Sequence, residues 1–90
     1  MGDINKLYSY VGFANKSRSI IYGTDSILAA KGKCRLVLAS RLLADNAMQK
    51  LKKIADVTIL PADQFEFLFG KPKAVAITDE NLAKAIKQNI

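Results

Sequence analysis

Ser19-Ile20-Ile21-Tyr22-Gly23-Thr24-Asp25-Ser26-Ile27-Leu28-Ala29-Ala30-Lys31-Gly32 takes the chain from a β-branched run through a glycine into a short stretch of helix formers. Lys33-Cys34-Arg35-Leu36-Val37-Leu38-Ala39 follows at once with a second apolar run. β-Branched residues suit a pleated strand, so residues 19–22 read as a strand and Gly23 as the turn that leaves it. Residues 24–31 then read as a helix stopped by Gly32, and residues 35–39 as a compact, fully buried strand that holds Cys34 at its start. Strand, helix and strand in so short a space are the signature of an α/β domain.

The flanking sequence repeats the alternation. Ile4, Leu7, Val11 and Ala14 recur at helical spacing after Asp3, a natural N-cap, which predicts an amphipathic helix over residues 3–16. Ala44, Ala47, Met48, Leu51 and Ile54 mark one face of a third helix, and residues 56–60 a third strand. Pro61-Ala62-Asp63 opens a short helix through Phe65 and Leu68 that Gly70 ends. Residues 73–77 form the fourth strand, and Thr78-Asp79-Glu80-Asn81 caps a last helix built on Leu82, Ala83 and Ile86. Helices alternating with four buried-type strands predict a single-domain, three-layer α/β/α sandwich over residues 1–90, with a four-stranded mixed sheet. The expected core is Leu7, Val11, Ile20, Leu36, Leu38, Met48, Leu51, Val75 and Ile77. There is no internal repeat.

Composition narrows the classes. Half of the 90 residues are hydrophobic, enough for a core of its own, yet no apolar run approaches the ~20 residues a bilayer span needs. No membrane association is expected, and the first residues carry no export signal. One cysteine, Cys34, rules out an intrachain disulfide and suits a reducing cytoplasm. With no histidine in the chain to activate it, Cys34 reads as a small core hydrophobe. The same absence removes a His-based triad and the usual zinc sites, so neither a metal nor another cofactor is expected. The Asp79-Glu80 pair stands directly before an apolar helical period, where it reads as helix N-terminal charge rather than acid–base machinery. Neither Gly-rich nucleotide-binding spacing is present around Gly23, and an enzyme is not expected.

The charge points elsewhere. Fourteen Lys and Arg residues against eight acids give a net charge of +6, and residues 1–55 hold ten of the bases with three of the acids. A basic surface of this kind fits the phosphate backbone of a nucleic acid. The turn at Gly23 opens a helix whose first N–H groups face outward, an anion-receptive geometry. Lys16 and Arg18 flank the entry to the first strand, and Lys31, Lys33 and Arg35 lie beyond the following helix, so one basic surface is expected to include them. Lys71-Pro72-Lys73 is a stiff basic loop, either a plain connector or a second phosphate-contacting edge. Lys50, Lys52 and Lys53 read as the solvated face of the third helix. Of Phe65, Phe67 and Phe69, most are expected in the core rather than exposed for base stacking.

The order Ala14-Asn15-Lys16-Ser17-Arg18, Tyr22-Gly23-Thr24, Ala30-Lys31-Gly32-Lys33-Cys34-Arg35-Leu36-Val37-Leu38-Ala39 and Gly70-Lys71-Pro72-Lys73-Ala74-Val75-Ala76-Ile77-Thr78-Asp79-Glu80 resembles small bacterial proteins of the YlxQ and YbxF type. These belong to the ribosomal protein L-seven-Ae and L-thirty-e superfamily, α/β/α sandwiches that typically bind kink-turn RNA. The resemblance runs from about Leu7 to Ile86. It implies an RNA-binding module for structured RNA, ribosomal RNA among the candidates; a cytoplasmic monomer is expected. The RNA surface it implies is Gly23, Thr24, Asp25 and Ser26 together with the loop from Gly70 to Ala74, which contains Lys71, Pro72 and Lys73.

The chain departs from the family pattern where bases are read. Asp25, Ser26 and Ala29 stand where the family commonly has Asn, Glu and Lys, Arg18-Ser19 replaces Gly-Lys before the first strand, and Leu42 stands where an acid is common. Asp25 accepts hydrogen bonds but donates none, Ser26 is shorter than Glu, and Ala29 lacks a charge. The expectation is therefore a retained fold with weakened or altered base recognition. The alternative is a protein-interaction module that keeps the fold and has lost kink-turn binding.

Overall fold

In a computed structural model, which describes residues 3–90, Asp3 starts the fold as a cap. Its Oδ1 accepts hydrogen bonds from the backbone N–H groups of Asn5 and Lys6 at 2.9 and 3.3 Å. Two of the four orphan donors of helix α1 (Ile4–Lys16) are thereby satisfied. Leu7, Val11 and Ala14 form its buried stripe. The chain then turns at Arg18, whose φ of 57° is left-handed, and enters β1 (Ile20–Tyr22).

The remaining elements follow in strict alternation: α2 (Thr24–Ala29), a 3-10 turn (Lys31–Lys33), β2 (Leu36–Ser40), α3 (Asp45–Ile54), β3 (Val57–Leu60), α4 (Ala62–Phe69), β4 (Ala74–Ile77) and α5 (Glu80–Gln88). The strands lie in the order β1-β4-β2-β3. β4 runs antiparallel to both β1 and β2, with Ile20 opposite Ile77 and Leu38 opposite Val75. β2 and β3 are parallel, with Val37 opposite Val57, so the sheet is mixed as expected.

Period-two alternation sorts the side chains into two cores. Leu36 and Leu38 of β2 and Val75 and Ile77 of β4 face the layer made by α1, α4 and α5, where they meet Leu7, Phe65 and Ile86. Val37, Ala74 and Ala76 face the other way, onto Ile27 of α2 and Leu51 of α3. The central strands are buried on both faces, which is why their sequences are unbroken apolar runs. Small Ala74 and Ala76 let α2 and α3 approach that face closely, whereas the opposite face takes the larger Val75 and Ile77. No helix among the described residues is long and apolar enough to cross a membrane.

Several local expectations are corrected. α2 ends at Ala29, two residues early, and Gly32 lies within the 3-10 turn rather than capping the helix. The Ala30 N–H is shared between the carbonyls of Ser26 at 3.2 Å and Ile27 at 3.1 Å, which tightens the last turn from α towards 3-10 geometry. Cys34 precedes β2 instead of lying in it and is only half-buried, its Sγ 3.4 Å from the Ala30 carbonyl oxygen. Ile20 and Met48 are likewise only partly buried: Ile20 lies on the edge strand β1, and Met48 on α3 sits a turn before the fully buried Leu51. The other seven expected core residues are all buried.

Candidate nucleic-acid interface

β1, β2 and β3 point in one direction and β4 in the other, so their termini fall into two sets at opposite ends of the sheet. At one end lie the Gly23 turn after β1, the Arg41 to Ala44 loop after β2, the start of α4 after β3, and the loop that leads into β4. At the other lie the Arg18 turn before β1, the Lys31 to Arg35 segment before β2, Asp56 before β3, and Thr78 after β4. A rise of ~3.3 Å per residue separates the two by roughly 15 Å along five-residue β2.

At the Gly23 end, backbone hydrogen bonds fasten separate loops to each other. The Gly23 N–H donates to the Ala74 carbonyl at 2.9 Å, and the Ser40 N–H donates to the Lys73 carbonyl at 2.9 Å. Gly23, Thr24, Asp25 and Ser26 are thus held beside Lys71, Pro72 and Lys73, two segments far apart in sequence. Gly23 has φ 91° and ψ 145°, a conformation open almost only to glycine. It lets the strand turn sharply into α2. Arg41 and Leu42 join this surface on the side of the Lys73 segment away from Gly23, with the Leu42 N–H on Ser40 Oγ at 3.1 Å and the Leu42 side chain 65% exposed. Leu42 was marked beforehand only as a departure from the family pattern, and Arg41 not at all, because their placement depends on β2 lying next to β4 rather than next to β1.

The anion-receptive character of the Gly23 helix is weaker than its sequence suggested. α2 has six residues, about 9 Å of helix, so its dipole is short, and the first turn already contains Asp25. Of the five α-helices among the described residues four begin at this end, and each brings an acid at its cap or in its first turn: Asp3, Asp25, Asp45 and Asp63. With Glu66 these outweigh the local cations, Lys6, Arg41, Lys71 and Lys73. The Gly23 end is therefore close to neutral.

The cations Lys16, Arg18 and Lys33, expected beside Gly23, lie at the other end. α1 finishes there with Lys16, the 3-10 turn carries Lys31 and Lys33, and α3 finishes with Lys52 and Lys53. Arg18 and Arg35 stand outside the helices, joined through β4: the Thr78 N–H donates to the Ser19 carbonyl and the Arg35 N–H to the Ile77 carbonyl, both at 2.8 Å. Beside them a cleft of about 320 Å³ is lined by Arg35, Thr58, Lys84 and Lys87, with Asp56 and Glu80 as its acids. Among the described residues the one ion pair is Lys84 with Glu80 at 3.8 Å, an exposed pair on one helix face. The basic surface is one-sided as expected, but it faces away from the Gly23 turn.

The aromatic expectation holds for two residues of three. Phe65 and Phe69 are buried and stack 4.8 Å apart, while Phe67 is 56% exposed and packs at 5.3 Å on the equally exposed Tyr8 of α1. On α4, residues 65 and 69 are one helical turn apart, and 67 falls on the opposite face.

No protein-family model and no curated protein matches the chain. In three dimensions it is similar to a solved structure described as a protein with unknown function from Bacillus halodurans C, with a TM-score of 0.77. That likeness covers 92% of this chain and 94% of the other at 18% sequence identity, and at that identity it concerns the fold alone.

Proposed function

We propose that the chain is a non-catalytic, cytoplasmic RNA-binding module of the L-seven-Ae and L-thirty-e type, acting on structured RNA with weakened base recognition. The observation that supports this most directly is the fastening of the Gly23 turn to the Lys71 to Lys73 loop by the Gly23 N–H and the Ala74 carbonyl. The two segments that the family resemblance assigns to RNA contact are brought into one surface. Thr24 and Ser26 offer hydroxyls there, Lys71 and Lys73 offer charge, and Leu42 offers an apolar contact for a splayed base. Asp25 opposes the RNA: a carboxylate at the entry of α2 repels phosphate and lacks the donor needed for a donor-and-acceptor pair with one edge of a base.

Titration of a labelled kink-turn and a plain duplex of equal length tests the reading. Restoring the family side chains with Asp25→Asn, Ser26→Glu and Ala29→Lys is expected to raise kink-turn affinity at least about tenfold, because one bidentate base contact is worth ~1–3 kcal/mol. Equal gains on both RNAs would mean that only charge had been restored. No gain in a folded variant would favour the second reading, a protein-interaction module. The near-neutral Gly23 end and the exposed Tyr8 and Phe67 pair speak for that reading, since aromatic residues are enriched at protein interfaces.

A further inference from the structure

The net charge of the molecule sits at one end. Nine of its fourteen cations lie at or beside the Arg35 end: Lys16 and Arg18, Lys31 to Arg35, Lys52 and Lys53 on α3, and Lys84 and Lys87 along the cleft. Only Asp56, Asp79 and Glu80 oppose them. Helix C-termini explain part of this, since carbonyl ends attract cations, and Lys16, Lys52 and Lys53 each stand in a last turn. They do not explain Arg18 and Arg35, which belong to no helix, nor Lys84 and Lys87, which share a cleft with Arg35. Arg18 is exposed at a left-handed φ of 57°, a backbone conformation that costs a side chain of its kind and that glycine adopts freely.

We infer that the Arg35 end is a second nucleic-acid surface, gripping the phosphodiester backbone of a duplex through Arg18, Lys33 and Arg35 while the Gly23 end faces a separate RNA segment. This rests on the RNA reading of the preceding subsection and adds a contact on the far side of the sheet. Neighbouring strands lie ~4.8 Å apart, so the backbones of Arg18 before β1 and Arg35 before β2, with β4 between them, are about 10 Å apart along this end of the sheet. That edge presents charge without base-reading geometry, which is what backbone positioning requires. A protein partner is less well matched, because interfaces bury an apolar centre. Of the exposed large apolar residues among the described ones, only Phe13 lies towards this end. The consequence is a bridge: one molecule holds two RNA segments on opposite ends.

The test uses the full chain, a fluorescent 20-base-pair RNA duplex and a kink-turn RNA, with anionic lipid vesicles as a third probe. The triple variant Arg18→Gln, Lys33→Gln and Arg35→Gln is expected to lose about tenfold or more in duplex affinity near 0.1 M salt and to flatten the salt dependence by two to three phosphate contacts, at about 0.9 of slope each. Lys50→Gln, an exposed change on α3 outside both surfaces, should leave duplex affinity within about twofold. Energy transfer between a donor-labelled duplex and an acceptor-labelled kink-turn should appear with the wild-type protein, vanish in the triple variant and fall again at excess protein. Unchanged urea midpoints confirm that the variants are folded. A triple variant that binds duplex like the wild type overturns the inference, as does vesicle binding tighter than duplex binding. Loss of duplex binding in the triple variant, in a protein that never bound the kink-turn, would sustain the Arg35 surface while refuting the reading of the Gly23 end.

Discussion

Arg18 holds a left-handed backbone with φ 57° at the position where the family resemblance expects a glycine, so its turn is one that glycine would make without strain. Arg18→Gly should stabilise the fold by about 0.5–1 kcal/mol, the relief of left-handed strain less the extra freedom glycine gains in the unfolded chain. A rise of a few degrees in Tm would be the readout, and Arg18→Ala, which removes the charge but keeps the strain, should not reproduce it. Gly23 is the converse case. A Cβ there meets nothing within 4 Å, so Gly23→Ala carries a purely conformational penalty of ~1–3 kcal/mol. Leu38, fully buried in a central strand, should cost ~2–5 kcal/mol on truncation to Ala, whereas Phe67→Ala should cost about 1 kcal/mol or less because the ring is half in water. Urea unfolding curves separate these. Burial pushes the Cys34 thiol above its ordinary pKa, so less thiolate is present near neutral pH in the folded protein. Its alkylation by iodoacetamide at pH 7.5 should be slower folded than in urea, and equal rates would contradict the burial.

Among the elements, α5 depends on a single side-chain cap, Asp79 Oδ1 accepting from the Leu82 N–H at 3.0 Å. Asp79→Ala should destabilise by ~1 kcal/mol, read as a shift of the urea midpoint at constant slope. Every helix and strand was legible in the sequence because each carries its own period and punctuation: Asp3 and Asp79 as caps, Gly70 as a stop, and the apolar runs of β2 and β4. The boundary errors have a common physical origin. Lys73, Arg35 and Asp56 look like strand residues by position but are exposed residues just outside the strands, Lys73 and Arg35 giving only one backbone hydrogen bond each to a neighbouring strand, and hydrogen-bond partners are not written in a local pattern. The candidate site was half legible for the same reason. Gly23 to Ser26 and Lys71 to Lys73 could be named separately and Leu42 marked as a departure, but the neighbour Arg41, and the removal of Lys16, Arg18 and Lys33 to the far end, follow only from the strand order.

At the scale of the molecule, the order β1-β4-β2-β3 places the last of the four described strands in the middle of the sheet. Among the described residues β1 pairs with β4 alone, and Ile20 must find Ile77 across most of the sequence. Binding to a polyanion should depend steeply on salt through the Arg35 end, and a tenfold change in ionic strength that left RNA affinity untouched would show that charge is not what holds the complex. The same strand order governs how the protein can be made. Synthesis delivers β1, β2 and β3 before the one strand that joins them, so a growing polypeptide has at most the parallel β2 and β3 pair to form and leaves β1 without a neighbour. Folding therefore waits for β4 to emerge from the ribosome, and until then the apolar runs are open to chaperones. A nascent chain arrested before Ala74 has cleared the exit tunnel should be cut rapidly by protease, and one extended by a linker long enough to release α5 should resist it.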